Sequence, residues 1–106
     1  MAVHYQDVKA VELQPGQERR VLAYDDDIML VEFTFKAGIK TAPHSHPHNQ
    51  VSYVKKGRVE YSIGEDLFVL EEGDSIVVPS DALHNAYPVT DAVLLDVFTP
   101  VRKDFL

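Results

Sequence analysis

Val51-Ser52-Tyr53-Val54-Lys55-Lys56-Gly57-Arg58-Val59-Glu60-Tyr61-Ser62-Ile63-Gly64 sets two short runs rich in β-branched and aromatic residues on either side of a charged turn. Such runs suit a pleated, half-buried backbone. A glycine in the turn supplies the positive φ that a tight hairpin needs. The pattern continues outward in both directions. Ile28–Phe35, Leu67–Leu70, Ile76–Val78 and Val93–Phe98 read as further strands beside Val51–Val54 and Val59–Ile63, and Gly38, Gly64 and Gly73 fall between runs next to charged or polar residues. Strands recurring at roughly 8–12 residues with turns of this kind indicate a sandwich or a barrel. No amphipathic helix is evident, since Asp7–Leu13 is short and mixed. Residues 1–18 contain Pro15-Gly16 and little alternation, so an N-terminal arm is expected there, then a barrel over residues 19–100 and a tail over 101–106, all within a single domain.

Composition narrows the function classes. The 106 residues hold no cysteine, which removes disulfides, thiolate zinc sites, iron–sulfur clusters and a cysteine nucleophile together. Ten Lys and Arg against seventeen Asp and Glu give a net charge of -7, the wrong sign for neutralising phosphates, so no nucleic-acid partner is expected. The N-terminal residues lack a basic start followed by an apolar stretch, and no apolar run approaches the roughly 20 residues of a membrane span. The expectation is a cytoplasmic protein with no membrane partner.

Three of the five histidines, His44, His46 and His48, lie close together. On extended backbone, His44 and His46 point to the same face, which is how a β-protein brings two imidazoles to one metal. Pro43 and Pro47 stiffen the backbone around them. Taken alone, the pair reads equally well as two metal ligands or as two ordinary side chains. His4 and His48 read as solvated. His84 stands apart, in Pro79-Ser80-Asp81-Ala82-Leu83-His84.

The last apolar run carries one misfit, Asp96, on the same face as Leu94 and Phe98, with Arg102 a few residues on. A carboxylate in such a strand needs a partner or a task. An outward-facing Asp96, or a structural ion pair with Arg102, stands beside a functional reading, and Phe98 alone reads as a core aromatic.

These stretches resemble the two motifs of the cupin superfamily. The first is Gly38, five residues, His44-Ser45-His46, three residues, Gln50, six residues, Gly57, with glutamine where glutamate is usual. The second is Gly73, five residues, Pro79-Ser80-Asp81, two residues, His84, three residues, Pro88, with Asp81 replacing glycine and Pro88 replacing asparagine. Aspartate tolerates a left-handed turn better than most residues, so the first of these changes is mild. The resemblance implies an all-β double-stranded β-helix, a jelly-roll-like barrel. It further implies one divalent transition-metal ion (Ni, Zn, Fe or Mn) held by His44, His46, Gln50 and His84.

The stretch His44–Val54 and the ending Asp96–Leu106 are more narrowly similar to the KdgF-type pectin-degradation cupins. That resemblance implies catalytic roles for Asp96, Phe98 and Arg102. It also implies a small anionic sugar-acid substrate, a 4,5-unsaturated monouronate converted to its linear keto form, and a homodimer. A metal-dependent cupin dioxygenase and a non-catalytic sugar-binding module are the alternatives.

Overall fold

The computed structural model describes residues 1–106. Nine strands make up the fold: β1 (Val11–Gln14), β2 (Gln17–Tyr24), β3 (Met29–Phe35), β4 (Asn49–Lys56), β5 (Val59–Ile63), β6 (Asp66–Leu70), β7 (Ser75–Val78), β8 (His84–Pro88) and β9 (Ala92–Thr99). They form a six-stranded antiparallel sheet in the order β1-β2-β3-β9-β4-β7 and a three-stranded one in the order β6-β5-β8. After β4 the chain passes from one sheet to the other and back, so the two sheets face each other as a jelly-roll-like double-stranded β-helix.

Alternation decides what lies inside. Along β4, Gln50, Ser52 and Val54 are buried while Val51 and Tyr53 are exposed. Along β9, Ala92, Leu94, Asp96 and Phe98 are buried. One apolar cluster gathers Phe35, Val54, Val59, Tyr61, Leu70, Val78, Ala86, Ala92 and Leu94, and a second gathers Met29, Val31, Phe98 and Val101. On β9, Asp96 falls between the two clusters, and its register partner on β4 is Ser52.

The six expected strands are all present, but three more occur. β1 and β2 begin at Val11, inside the stretch expected as an arm. Their charged Gln17-Glu18-Arg19-Arg20 obscures the alternation because the inner side of β2 borders a cavity instead of the apolar core. β8 carries Asn85 and Pro88. It is an edge strand, where a residue without an N–H is tolerated. Ahead of β1, Tyr5–Asp7 forms a 3₁₀ turn, and the Tyr5 hydroxyl donates to Oε1 of the buried Glu32 at 2.6 Å.

The hairpin reading of the turn glycines needs correction. Gly64 closes a hairpin between β5 and β6, but Gly57 and Gly73 sit at corners where the chain changes sheets. Positive φ permits a sharp reversal without saying which strand the next one joins. At Gly57 (φ 89°) the requirement is doubled, because a Cβ would collide with the backbone carbonyl of Asp91. Asp81 adopts φ 64°, the left-handed conformation for which its motif ordinarily carries glycine.

Candidate functional site

His44 and His46 lie in the extended segment before β4, and His84 opens β8. His44 and His84 form an isolated antiparallel bridge, each backbone N–H donating to the other's carbonyl at 3.0 and 2.9 Å. The bridge brings their rings to 4.3 Å between centroids, with His46 at 4.9 Å from His84 and 6.1 Å from His44. One ligand nitrogen from each of the three falls within 4.8 Å of the others.

The backbone also fixes which nitrogen faces the centre. Nδ1 of His44 donates to the Ala42 carbonyl (2.8 Å), that of His46 to the His48 carbonyl (3.1 Å) and that of His84 to the Ala82 carbonyl (2.9 Å). A proton held at Nδ1 leaves Nε2 as a bare lone pair, the form in which imidazole ligates a metal. His84 Nε2 is buried with no hydrogen-bond partner. Burial also lowers the His84 pKa to about 4 and lowers that of His46, which favours the neutral form of both rings.

Gln50 supplies a second sign. Its Nε2 donates toward Ser52 Oγ (2.9 Å), the Tyr61 hydroxyl (3.0 Å) and Asp96 Oδ2 (3.1 Å), which fixes the amide's orientation. Its Oε1 therefore faces His46 Nε2 at 2.9 Å, an acceptor opposite a lone pair. Two such atoms sit together favourably around a cation. The orphaned His84 nitrogen and this contact both fit a divalent metal ion, which the three imidazoles can hold.

Asp96 resolves differently from either simple reading. It is 5% exposed, so it does not face solvent, and it forms no ion pair with Arg102. Its Oδ2 accepts from Gln50, while Oδ1 is buried and unpartnered. Burial raises its pKa to about 7. Arg102 instead binds Asp104, through Nε to Oδ1 (3.1 Å) and Nη2 to Oδ2 (2.8 Å). The guanidinium stacks on Phe98 and Phe105, at 5.1 and 4.2 Å from the ring centroids.

A cavity of about 370 Å³ opens onto these groups. Of the residues singled out in the sequence, His44, Gln50, His84, Asp96, Phe98 and Arg102 line it. His46 is buried behind, its ring set edgewise to Phe98 at 5.7 Å. His4 is exposed, whereas His48 is half-buried and contributes its carbonyl to orient His46. Sequence reasoning missed Arg19, Tyr61 and Phe105, which also line the cavity. For Arg19 and Phe105 the signal was weak, a cation in a charged run and an aromatic in a polar tail. Tyr61 was legible only as a core residue.

Comparison with known proteins agrees with this geometry. The model of the Cupin domain matches residues 31–98. The chain is 34% identical over 97 residues to the pectin degradation protein KdgF of Dickeya dadantii (strain 3937), covering 90% of this chain and 88% of that protein. The structure of KdgF from Halomonas sp. superimposes with a TM-score of 0.95 at 30% identity, covering 100% of this chain and 98% of the other. A RmlC-like cupin from Shewanella frigidimarina NCIMB 400 superimposes with a TM-score of 0.94 at 31% identity, covering 99% and 95%. With its fold, both histidine motifs and nearly its whole length matched, the chain belongs to the cupin family and, within it, stands with the KdgF-type proteins.

Proposed function

We propose that this cupin is a metal-dependent isomerase acting in pectin or alginate breakdown, converting 4,5-unsaturated monouronates to their linear keto form. One observation carries the reading. A buried carboxylate oxygen, Asp96 Oδ1, stands unpartnered in the wall of the cavity that also receives the imidazoles and a guanidinium. The likeness to a pectin degradation protein supplies the substrate class.

His44, His46, Gln50 and His84 would hold a divalent ion, which would supply a Lewis acid to anchor and polarise substrate oxygens, and Ni, Zn, Fe and Mn all suit these neutral donors. Arg102 binds the substrate carboxylate with the guanidinium edge that Asp104 leaves free. Phe98 packs against the sugar ring and excludes water. Asp96 Oδ1 takes the proton of the anomeric hydroxyl as the bond from C1 to the ring oxygen breaks. That step leaves an aldehyde at C1 and an enolate at C5. Asp96 then returns the proton to C4 as the enolate becomes a ketone. The proton count closes and no electrons or water are consumed, as an isomerisation requires. Burial, which raises the carboxyl pKa to about 7, suits both halves of this transfer.

The deciding experiment follows loss of the conjugated-alkene absorbance of a 4,5-unsaturated monouronate with metal-loaded protein, with and without chelator and oxygen. Loss faster than the spontaneous rate, sensitive to chelator and indifferent to oxygen, is expected. Absence of acceleration with Ni, Zn, Fe and Mn would refute the reading. Cytoplasmic action and a homodimer belong to the same proposal. Val51, Tyr53 and Val77, on neighbouring strands of the six-stranded sheet, are 42%, 42% and 62% exposed and offer an apolar outer face for a second copy. Light scattering is expected to return twice the chain mass.

A further inference from the structure

Among the charged residues that line the cavity, Arg19 of β2 alone has no part in the chemistry above. Its Nε is buried and makes no hydrogen bond. No carboxylate lies within salt-bridge distance of its guanidinium. A guanidinium is a rigid fork of donors, and leaving the buried Arg19 Nε–H unused costs free energy unless something arrives to accept from it.

The surroundings sharpen the point. The Arg19 guanidinium stands 4.2 Å from the centroid of the Phe105 ring, and that of Arg102 stands 4.2 Å from the same centroid. Phe105 is itself held edge-on by Phe33 at 6.2 Å and Phe98 at 5.7 Å, so one fixed ring positions both cations. The nearby acid Asp104 is already engaged through two contacts with Arg102. Two cations therefore border one small cavity whose own carboxylate, Asp96, forms an ion pair with neither of them, while Asp104 is committed to Arg102.

From this juxtaposition we infer that Arg19 is a second carboxylate-binding residue, its guanidinium acting with that of Arg102 on the carboxylate of a sugar acid bound beside Phe105. The inference rests on the uronate reading for the ligand's identity, but its geometry is independent of the metal and of Asp96. Planar donors on two sides match the acceptor pattern of a carboxylate, and a neutral sugar would leave the Arg19 Nε–H and the free edge of Arg102 without an anionic acceptor. Arg19 sets affinity and selects for the acid; it moves no proton.

The test is calorimetric titration of the metal-loaded full chain with D-galacturonate and with its methyl ester, in which the anionic carboxylate becomes a neutral ester. Wild type is expected to prefer the acid. Arg19→Gln is expected to weaken galacturonate binding roughly tenfold or more, the usual scale for a hydrogen bond to a charged group, with the ester unaffected. Arg19→Met, which keeps an apolar stem over Phe105, is expected to show the same loss. In turnover of the unsaturated uronate, both substitutions raise KM and leave kcat within about twofold, the mark of lost uniform binding.

An undiminished acid preference in either variant would overturn the inference, as would a wild type that binds neither probe or does not distinguish them. The two proposals can fail separately. Uronate turnover with an unaltered Arg19→Gln removes the subsite alone. An acid preference reduced in Arg19→Gln, without turnover by wild type, removes the reaction alone.

Discussion

Along β4 and β9 the same inward face carries two chemistries a few residues apart. At one end Val54 opposes Leu94 in register, both nearly solvent-free and packed in the larger apolar cluster. Two residues on, Ser52 opposes Asp96, and then Gln50 opposes Phe98. The first end stabilises the barrel, each buried aliphatic side chain contributing about 1.5–3 kcal/mol. The second buries Asp96 Oδ1, and β8 adds the buried His84 Nε2, both without partners, at a cost on the order of 1–3 kcal/mol per group. Backbone register is continuous across both, so the strands impose on the polar end an arrangement it would not adopt alone. Stability and reactivity are thus separated along one pair of strands.

The largest effects follow from changing a single side chain at either end. Asp96→Asn keeps an acceptor for Gln50 and removes the proton-carrying carboxylate. Turnover of the unsaturated uronate is expected to fall by about 10²–10⁴, the range for loss of a general acid–base group. Thermal unfolding of the metal-free variant is expected no earlier than that of wild type, since the variant buries no charge. Leu94→Ala makes the opposite cut. It is expected to destabilise the fold by about 2–5 kcal/mol through a cavity in the packed end, and, although Leu94 also borders the site cavity, to lower kcat per folded molecule far less than Asp96→Asn does. Denaturant titration beside initial rates separates the two outcomes. A stability loss in Asp96→Asn equal to that in Leu94→Ala would dissolve the distinction.

Gln50→Glu probes why this chain departs from the usual glutamate. The Gln50 amide donates to Asp96 Oδ2 at 3.1 Å, whereas a glutamate there would face a second buried carboxylate at that distance. Like charges so close cannot both ionise, so one must take up a proton or the pair must separate. Glutamine at position 50 and aspartate at position 96 thereby form a matched set. In metal-free protein at neutral pH the substitution is expected to cost about 1–3 kcal/mol, the penalty of a lost buried donor, read by urea titration. No loss would mean that the two positions are uncoupled.

How much of this was legible follows the same division. The packed end announces itself in the sequence because apolar alternation is what packing requires. Val59–Ile63 and Val93–Phe98 were therefore readable as strands. His44, His46, Gln50 and His84 were readable through motif spacing, and Asp96 as a misfit in an apolar run. The polar end hid the rest. Arg19 sits on a strand whose inner face meets a cavity, so its Gln17-Glu18-Arg19-Arg20 run looks like a solvated arm. Phe105 depends on a tail folding back against Phe33 and Phe98, a contact that no local periodicity encodes. Arg102 was singled out, but its acid is Asp104, two residues away, not Asp96. Spacing does not reveal which carboxylate a flexible guanidinium chooses.

That choice of partner gives the smallest effect. Asp104 is mostly exposed, and its hydrogen bonds to Arg102 hold its carboxyl below the ordinary value of 3.8. A group depressed in the folded state adds stability above its unfolded pKa and loses it as pH falls through the lower folded value. Wild type should therefore exceed Asp104→Asn in stability at neutral pH and converge with it in acid. Solvent screening keeps the difference under about 1 kcal/mol. Urea titrations at neutral pH and well below pH 3.8 measure it. A gap at neutral pH as large as that of Leu94→Ala would mean that the Arg102 tail is structurally part of the packed end. A small gap that closes in acid leaves Asp104 to orient a guanidinium whose other edge stays free for an anion.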